Sequence, residues 1–345
     1  TMATPVARYA LVALGAQGGV HLRIDPQDPE GVLLEFFDSQ GMNIAKSTER
    51  SLENSYFSED FPRAGAGAMG ELTFVPQLVE SYMNGLVSPE IKKMIRGTHF
   101  KIAINYDPGS LAVILPGIFE ELGCEIVNCY QVEEPEFTRP TTLKDLLSSM
   151  NRVAETVRNS RADLGVLVDN NAERLILLDN RGELLKEEDL TALLSFLVLK
   201  YQPEAAVPVS VTAPHSIETL AREFRGKVIR TKANPRSLME QVVQTKLFPA
   251  GNGQASYQPQ VDALFSLIKV LELLAREEMS LADARQLIPK VERSYQEVDC
   301  PWEEKGRIMR NLFEENKERE LEMTDGLKVF HDSGWALVLP DAEEP

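Results

Sequence analysis

The stretch DLGVLVDNNAERLILLDNRGELL, residues 163–185, indicates the fold, because it places two apolar runs on either side of a short polar loop. The runs LGVLV and RLILL consist of residues that favour buried strands. The loop DNNAER between them is typical of a hairpin turn, since Asn tolerates the left-handed backbone that such turns need. After a second turn, EEDLTALLSFLVLKY predicts a helix with acidic residues in its first turn, where they suit the helix dipole.

The loop DNNAER also allows a second interpretation, as a metal site. Asp169, Asn171 and Glu173 alternate along the chain, and alternate side chains of an extended segment point the same way. Three oxygen atoms would then meet at one point, and oxygen is the ligand that Mg²⁺ prefers. Two carboxylates and one amide make only a weak Mg²⁺ site, so the local pattern favours the turn and keeps the metal as the alternative.

The segments on both sides repeat a strand–helix–strand pattern. FKIAINY (100–106), a helix closed by Gly123, and CEIVNCY (124–130) predict one βαβ unit, and residues 207–232 predict another. Such units joined by short linkers predict α/β domains in tandem. We expect further helices at 74–86 (with Pro76 near its start), 143–160, 260–278 and 302–320, and further strands at 32–37, 326–332 and 335–339.

Composition and charge exclude several classes of partner. The 345 residues carry a formal net charge of −17, which repels the phosphates of nucleic acid and anionic membranes. Three cysteines without zinc spacing fit a reducing compartment. No signal peptide and no apolar run of about 20 residues is visible. We therefore expect a cytoplasmic protein. Its first and last residues do not read like natural termini, which suggests a fragment of a longer polypeptide.

Five segments, taken in order, resemble the α-D-phosphohexomutases, the phosphomannomutase/phosphoglucomutase family. GGVHLRIDPQDPEGVLLEFFDSQGMNI (18–44) resembles the stretch with the family's active-site serine, and residues 100–127 resemble the start of its second domain. DNNAER with its flanking strands resembles the metal loop, normally DGDxDR. VIRTKANPRSLMEQV (228–242) resembles the TKxGH segment, and DGLKVFHDSGWALVLPDAEEP (325–345) resembles the region of the phosphate loop, normally RPSGTEP.

The resemblance implies tandem α/β domains of the phosphohexomutase type, with mixed sheets flanked by helices, and part of an α+β C-terminal domain. Residues 1–95 would form part of domain I, and residues 96–202 would form domain II with the metal loop. Residues 203–290 would form domain III with the sugar loop. Residues 291–345 would begin domain IV with the phosphate loop.

The first departures from the family pattern concern the nucleophile and the metal loop. Aligned on Pro29, the family's phosphorylated serine falls at Pro26, and proline cannot carry a phosphoryl group. Asp25 and Asp28 stand nearby as the alternative nucleophiles. The metal loop keeps Asp169, Glu173 and Arg174 but has Asn171 in place of the middle aspartate, so Mg²⁺ binding should be weak.

The later departures concern the loops that grip the sugar and its phosphate. Lys232 is kept in the TKxGH-like segment. The sugar loop has only the counterpart GNGQAS (251–256), in which Asn252 or Gln254 replaces the family's glutamate. The phosphate loop begins with Leu339 in place of arginine and adds Asp341 and Glu343, which would repel a phosphate.

Two functions follow from the resemblance. In the first, the chain is a mutase-like module with degenerate loops, a structural or regulatory part of a protein for sugar-nucleotide (GDP-mannose type) biosynthesis. Phrases such as CPWEEKG resemble a class that carries an N-terminal nucleotidyltransferase domain, of the mannose-1-phosphate guanylyltransferase type, on the same polypeptide. In the second, the chain is an active phosphohexomutase that interconverts hexose 1- and 6-phosphates with an atypical site.

The residues and partners differ between these two functions. An active mutase would use Asp25 or Asp28, with Lys232, for catalysis, and Arg174, Asn252 and Gln254 to hold the sugar phosphate. In either case Mg²⁺ at Asp169, Asn171 and Glu173 is the expected cofactor, weakly held. A sugar phosphate is the expected ligand, and a homo-oligomer is compatible with both.

Overall fold

The computed structural model describes residues 2–25, 28, 30–60, 62–106, 108–130, 143–202, 204–248, 259–290, 292, 294–332 and 334–340. Four sheets follow one another along this part of the chain, and helices alternate with their strands. The predicted α/β class is therefore confirmed, while the boundaries of the four predicted domains stay a prediction. In the described part of the chain, no helix has both the length and the apolar character needed to cross a bilayer.

The first sheet is a hairpin surrounded by helices that the sequence patterns did not predict, apart from α3. Its elements are α1 (Thr4–Ala13), β1 (Gly18–Ile24), β2 (Val32–Asp38), α2 (Lys46–Phe57), α3 (Leu78–Leu86) and α4 (Pro89–Thr98). The predicted strand at 32–37 is confirmed as β2, and it pairs antiparallel with β1. The helix predicted at 74–86 begins later, at Leu78, so Pro76 lies before the helix and not in its first turn.

The two faces of the β1–β2 hairpin differ in character. The inward face presents His21, Arg23 and Glu35, and His21 lies directly opposite Glu35 in the register. The outward face is apolar and exposed, and its most exposed members are Leu22 and Val32. This alternation follows from the two-residue period of a strand, and it collects the charged side chains on the side of the hairpin that faces the protein.

The second sheet has five strands in the order β4-β3-β5-β6-β7. The strands are β3 (Lys101–Tyr106), β4 (Glu125–Asn128), β5 (Leu164–Val168), β6 (Leu175–Leu178) and β7 (Leu184–Leu185), and the helices are α5 (Pro108–Leu122), α6 (Leu143–Ser148), α7 (Met150–Ser160) and α8 (Glu187–Tyr201). β3 runs parallel to β4 and β5, whereas β6 is antiparallel to β5. The predicted βαβ unit, the hairpin around DNNAER and the helix after it are therefore confirmed.

The single helix predicted at 143–160 is wrong, because α6 ends at Ser148 and α7 begins at Met150. The hydroxyls of Ser148 and Ser149 both donate hydrogen bonds to the carbonyl of Asp145, at 2.7 and 3.2 Å. Ser149 between the two helices keeps helical backbone angles, and its N–H also donates to the Asp145 carbonyl at 3.2 Å. The interruption is therefore a single residue wide.

The third and fourth sheets complete the chain. The third pairs β8 (Ala206–Ser210) in parallel with β9 (Lys227–Thr231), and its helices are α9 (Ser216–Glu223), α10 (Pro235–Thr245), α11 (Ala263–Glu277) and α12 (Leu281–Ala284). The fourth joins β10 (Leu321–Glu322), β11 (Leu327–His331) and β12 (Gly334–Val338) in antiparallel order after α13 (Trp302–Asn316). Both sets of predicted strands are confirmed. The helix predicted at 260–278 begins at Ala263, because Asp262 caps it.

One large apolar core connects α1, α3 and α4 with the second and third sheets. It includes Val6 of α1, Tyr82 of α3, Ile104 of β3 and most of the buried face of α11. A second, smaller core lies on the other face of the five-stranded sheet, where Leu167 packs with α7. The five-stranded sheet is therefore covered on both faces, and the loop after β5 lies at the edge of the large core.

Candidate functional site

The loop between β5 and β6 is built as a turn around Asp169. The Oδ1 atom of Asp169 accepts hydrogen bonds from the N–H groups of Glu173 at 2.8 Å and Arg174 at 3.0 Å. The Ala172 N–H donates to the Asp169 carbonyl at 3.0 Å, and Ala172 has a left-handed φ of 60°. The turn that the local sequence pattern favours is therefore present, and one carboxylate oxygen maintains it.

Two other loops of the protein have the same construction. Asp38 Oδ1 accepts the N–H groups of Gln40 and Met42 at 3.0 and 3.1 Å. Asp179 Oδ1 accepts those of Arg181 and Glu183 at 2.9 and 3.0 Å. In both loops the fourth residue is a glycine with positive φ. The fold therefore uses a leading aspartate to close a turn in three places, and only one of them resembles a metal loop.

Charged side chains from β1, β2 and α1 surround the Asp169 loop. Arg23 donates to Glu35 at 3.0 Å, and His21 lies 3.2 Å from the other oxygen of Glu35. Arg8 donates to Glu173 Oε1 at 3.3 Å. We call this group the junction cluster, and its members are Arg8, His21, Arg23, Glu35, Asp169 and Glu173. It brings the predicted metal-loop carboxylates together with four side chains that are distant in the sequence.

Burial and ion pairing shift the pKa values of the cluster in different directions. Burial alone would raise the pKa of Glu35, but the hydrogen bonds and charges of His21 and Arg23 outweigh it and lower that pKa to about 2. Burial also raises the pKa of Asp169, although the hydrogen bonds that it accepts from two backbone N–H groups oppose the increase. Burial also raises the pKa of Glu173, although Arg8 opposes the change. Glu35 is therefore the most firmly ionised carboxylate of the cluster.

The backbone of the Asp169 loop is held from three sides. Thr4 N–H of α1 donates to the carbonyl of Asn171 at 3.0 Å, and Ala263 N–H of α11 donates to that of Ala172 at 2.8 Å. Ser110 of α5 donates its hydroxyl to the carbonyl of Asn170 at 3.2 Å. These contacts place the loop at the junction of three parts of the fold.

A buried carboxylate lies next to this junction. Asp262, at the N-terminus of α11, accepts hydrogen bonds from the Tyr82 hydroxyl at 2.9 Å on both oxygens and from the Phe265 N–H at 2.9 Å. Complete burial raises the pKa of Asp262 to about 7 despite these hydrogen bonds. The capping of α11 accounts for the position of the Asp262 carboxylate. Nothing in its contacts requires a ligand.

The side chains of the Asp169 loop do not fit Mg²⁺ as they stand. One oxygen of Asp169 closes the turn, and one oxygen of Glu173 faces the guanidinium of Arg8. Mg²⁺ demands near-octahedral oxygen ligands at about 2.1 Å, with no cation beside them. Within the described residues, no group of three or more His, Cys, Asp or Glu side chains is arranged to hold a metal ion.

The structure places the alternative nucleophiles at the β1–β2 turn. Asp25 is half-buried, and its N–H donates to the Gly31 carbonyl at 3.1 Å. Asp28 is exposed, and its Oδ1 accepts the Glu30 N–H at 3.1 Å. A Cβ atom built on Gly31 would lie 3.2 Å from Asp28 Oδ2 and 3.3 Å from the Cβ of Asp25. The two aspartates therefore flank the same glycine.

A cleft of about 2550 Å³ runs between the first, second, third and fourth sheets. Lys232 is exposed there, as is expected for a group that meets a ligand. Asp25, Asp28, Asp169, Glu173 and Arg174 are not among the residues that line the cleft. The junction cluster reaches the cleft through Glu35. Side chains from all four sheets line it, among them Glu35, Asn43, Lys186, Lys232, Arg285 and Leu339.

Several predicted residues lie outside the described part of the chain. These are Pro26, Asn252, Gln254, Asp341 and Glu343. Arg174 is described and exposed, with its side chain at the edge of the Asp169 loop. The predicted roles of all these residues stay predictions.

The sequence patterns missed Arg8, His21, Arg23 and Glu35. One signal was available for three of them, because His21 and Arg23 alternate on β1, and Glu35 lies on a strand predicted to follow. No local signal connects Arg8 with Glu173, since 165 residues separate them.

With its mixed five-stranded sheet, flanking helices and aspartate loop, the chain has an α/β fold of the phosphohexomutase type. Residues 1–63 match the profile of phosphoglucomutase/phosphomannomutase, alpha/beta/alpha domain I, and residues 80–182 match that of alpha/beta/alpha domain II. These two stretches of the chain are therefore similar to domains I and II of the phosphoglucomutase/phosphomannomutase family.

Two curated relatives align with nearly the whole chain. A probable phosphoglucosamine mutase of Methanopyrus kandleri is 26% identical over 356 residues, which cover 99% of this chain and 76% of that protein. A phosphoglucomutase/phosphomannomutase of Thermococcus kodakarensis is 23% identical over 350 residues, with coverages of 99% and 76%. The chain thus spans about three quarters of the length of these relatives.

Two solved structures show the likeness of fold. A phosphoglucomutase/phosphomannomutase family protein of Burkholderia thailandensis superposes with a TM-score of 0.74 at 17% identity, covering 100% of this chain and 76% of that one. The N-acetylphosphoglucosamine mutase of Aspergillus fumigatus, solved with GlcNAc-6P and magnesium, gives a TM-score of 0.53 at 12% identity, with coverages of 94% and 87%.

Proposed function

We propose that this protein acts on hexose or hexosamine phosphates as a phosphohexomutase, interconverting the 1- and 6-phosphates. The observation that supports this proposal best is the alignment of 99% of the chain with relatives that are named as mutases. The proposal replaces the expectation of a purely non-catalytic module as the first candidate, because those relatives carry the names of enzymes.

The central cleft supports the same proposal from the structure. Its walls include Lys232, in the segment that resembles TKxGH, and Leu339, at the start of the segment that resembles the phosphate loop. Lys186, Lys232 and Lys290 line the cleft, and none of them forms an ion pair with another described residue. Lysines without a carboxylate partner are suited to the phosphate group of a sugar phosphate.

The phosphoryl carrier in this proposal is a carboxylate, since Pro26 occupies the place of the family's serine. An oxygen of Asp25 or Asp28 would attack the phosphorus of a sugar bisphosphate, and the bond from phosphorus to the sugar oxygen would break. The acyl phosphate would then pass its phosphoryl group to the free hydroxyl of the sugar monophosphate and restore the carboxylate. Both aspartates flank Gly31, so one short loop presents both candidates. Neither aspartate lines the cleft, so this step requires the reacting phosphate to reach the β1–β2 turn.

The test is to supply glucose 1-phosphate, mannose 1-phosphate or glucosamine 1-phosphate with the matching bisphosphate and to follow the 6-phosphate. We expect turnover on the order of 1–10³ s⁻¹ with at least one sugar. Asp25→Asn or Asp28→Asn should abolish it, whereas Asp60→Asn, in an exposed loop far from the hairpin turn, should not. Absence of turnover with all three sugars would overturn the proposal, and full activity in both aspartate variants would overturn the carboxylate carrier.

A second candidate is supported by the junction cluster. Arg8 and Arg23 pair with Glu173 and Glu35, so two of the three carboxylates of the cluster are neutralised without a ligand. In this candidate the chain is a non-catalytic hexose-phosphate-binding or structural module of a sugar-nucleotide (GDP-mannose type) protein. Its partner would be an N-terminal nucleotidyltransferase domain of the same polypeptide, and the assembly would be a homo-oligomer.

The two candidates predict different outcomes for the same protein. Binding of a sugar phosphate in equilibrium dialysis without turnover and without a phosphorylated residue in intact-mass analysis favours the module. In a polypeptide with the nucleotidyltransferase domain, removal of residues 1–345 should then change the oligomeric state or the rate of nucleotidyl transfer. If neither changes, the module candidate is wrong.

A further inference from the structure

We propose that the guanidinium of Arg8 takes the place of a divalent cation at the Asp169 loop, so that this loop keeps its conformation and its charge balance without Mg²⁺. The inference concerns the site of the proposed function and deepens it by stating its metal requirement. It rests on the geometry of the junction cluster, and its main test does not depend on turnover.

The position of Arg8 is fixed by four contacts. Its Nη1 atom donates to the Gly41 carbonyl at 3.1 Å and to Asn43 Oδ1 at 2.8 Å, and its Nη2 atom donates to Glu173 at 3.3 Å. The guanidinium carbon also lies 4.2 Å from the centroid of the Phe37 ring, within cation–π range. The side chain is almost fully buried. A charge held in this way cannot move aside to admit a metal ion without losing these contacts.

One oxygen of each carboxylate in the loop already has a partner within the protein. Asp169 Oδ1 holds two backbone N–H groups, and removal of this oxygen for a metal would open the turn. Glu173 gives one oxygen to Arg8. A second guanidinium, that of Arg23, acts electrostatically on both Asp169 and Glu173. A divalent cation at this point would therefore meet two fixed positive charges and only one uncommitted oxygen on each carboxylate.

The other two aspartate loops show the same solution. The second oxygen of Asp38 accepts Arg236 Nη1 at 3.0 Å, and that of Asp179 accepts Arg285 Nη1 at 3.3 Å. In each loop the arginine comes from a distant part of the chain, as Arg8 does for Glu173. The fold thus already balances aspartate turns with guanidinium groups, although in the Asp169 loop the guanidinium of Arg8 pairs with Glu173 and not with the leading aspartate.

As a consequence, the site would hold the fixed +1 charge of the Arg8 guanidinium instead of the +2 charge of an exchangeable metal ion. A guanidinium cannot be removed by a chelator and has no coordination sites for water or substrate. We therefore expect any turnover to be unchanged by excess EDTA. If the protein proves to have no turnover, the binding measurements below still decide the inference.

The primary measurement is Mn²⁺ binding followed by electron paramagnetic resonance, with Mg²⁺ as the competitor and thermal unfolding as a second readout. For the unaltered protein we expect no saturable Mn²⁺ site below about 1 mM and no rise in Tm with MgCl₂ compared with NaCl at equal ionic strength. A saturable site that Mg²⁺ displaces at lower concentration would overturn the inference, provided that Asp169→Asn removes it.

The second measurement is a gain of binding. Arg8→Met combined with Asn171→Asp removes the guanidinium and restores a third carboxylate, so Mn²⁺ affinity should rise at least about tenfold. The matched control is Arg310→Met with Asn171→Asp, which removes an exposed arginine of α13 outside the cluster and should leave the affinity unchanged. Equal affinity in the two folded double variants would contradict the role of Arg8. If the Arg8 variant does not fold, Asn171→Asp alone decides, because a metal site formed with Arg8 in place would also overturn the inference.

Discussion

Two loops of the five-stranded sheet, the Asp169 loop (169–174) and the Asp179 loop (179–183), are built alike and differ in what surrounds them. Each begins with an aspartate whose Oδ1 accepts two N–H groups. The Asp179 side chain is only 1% exposed, and Arg285 covers its second oxygen. Asp169 has no comparable side-chain hydrogen bond to another described residue, and it faces the junction cluster.

The difference shows which part of the loop serves structure and which part is available for chemistry. The turn itself needs only one carboxylate oxygen, and this holds in both loops although the Asp169 loop is one residue longer. The second oxygen is enclosed by one arginine at Asp179, whereas at Asp169 the balance of charge comes from Arg8 and Arg23 through Glu173 and Glu35. A loop of the family's metal type can therefore keep its shape when its metal is replaced by a network of arginines.

The largest effect should come from removal of Arg8. Arg8→Met leaves Glu173 without its cation and leaves two acceptors, Gly41 O and Asn43 Oδ1, without their donor. Breaking a buried ion pair from one side costs about 3–5 kcal/mol of the free energy of unfolding. Urea unfolding measures the loss. Arg174→Met, at an exposed position of the same loop, should cost less than about 0.5 kcal/mol, and equal costs would contradict the role given to the cluster.

Acid should weaken the ion pairs that Glu35 forms on the β1–β2 hairpin. The pKa of Glu35 falls from its usual 4.5 to about 2 in the folded protein, so its contribution is complete above pH 4.5 and is lost as the pH falls towards 2. The difference corresponds to about 3 kcal/mol at most. Unfolding of the protein and of Glu35→Gln, compared between pH 6 and about 2.5, measures it.

Amide exchange localises this effect of acid. We expect the amides of the β1–β2 hairpin to lose protection at a higher pH than the Glu183 N–H, because Glu35 pairs with His21 and Arg23 on that hairpin. Simultaneous loss of protection in the hairpin and at Glu183, with an equal pH slope in Glu35→Gln, would show that the ion pairs of Glu35 do not stabilise the hairpin.

The fourth position of each loop offers a smaller comparison. Gly182 has a φ of 75°, and a Cβ atom there would lie 2.8 Å from the Ala154 carbonyl oxygen and 2.7 Å from Arg158 Nη1. Gly182→Ala should therefore cost about 2 kcal/mol, from backbone strain and the clash with the carbonyl. Thermal and urea unfolding measure the cost, and a neutral result would mean that the loop relaxes more easily than its contacts indicate.

The smallest effect is expected at the equivalent position of the other loop. Ala172 already has a φ of 60° and is fully buried. Ala172→Gly relieves a left-handed backbone, worth about 1 kcal/mol, and removes a buried methyl group, worth about 0.8 kcal/mol in the opposite direction. The free energy of unfolding should change by less than about 0.5 kcal/mol. A loss above this value would show that the methyl group fills a space that the backbone cannot close.

The sequence predicts this fold well where the signals are local. Strands such as β3 and β5, the hairpin at DNNAER and the helix α8 follow from apolar runs, turn residues and acidic first turns. The one-residue interruption between α6 and α7 at Ser149 has no counterpart in the pattern of apolar residues.

The site is predicted less completely, for a reason of distance along the chain. The aspartate turns are visible in sequence as DSQG at 38–41 and DNRG at 179–182, and the same spacing in DNNA at 169–172 could have indicated a third. The partners of these aspartates, Arg236 and Arg285, lie about 100 or more residues away, at separations of 198 and 106 residues. Which arginine meets which carboxylate is settled by packing, and a single sequence does not show it.

The backbone contacts of the Asp169 loop also bear on how the molecule unfolds. Thr4 donates one N–H to the carbonyl of Asn171 and Ala263 donates one to that of Ala172, so α1 and α11 are attached to the loop at two adjacent residues. If one helix detaches from the loop, the hydrogen bond of the other helix becomes exposed to solvent. The two helices, which are far apart in sequence, should therefore unfold as one cooperative unit. Calorimetry should accordingly give a single transition for these parts, with calorimetric and van't Hoff enthalpies in agreement.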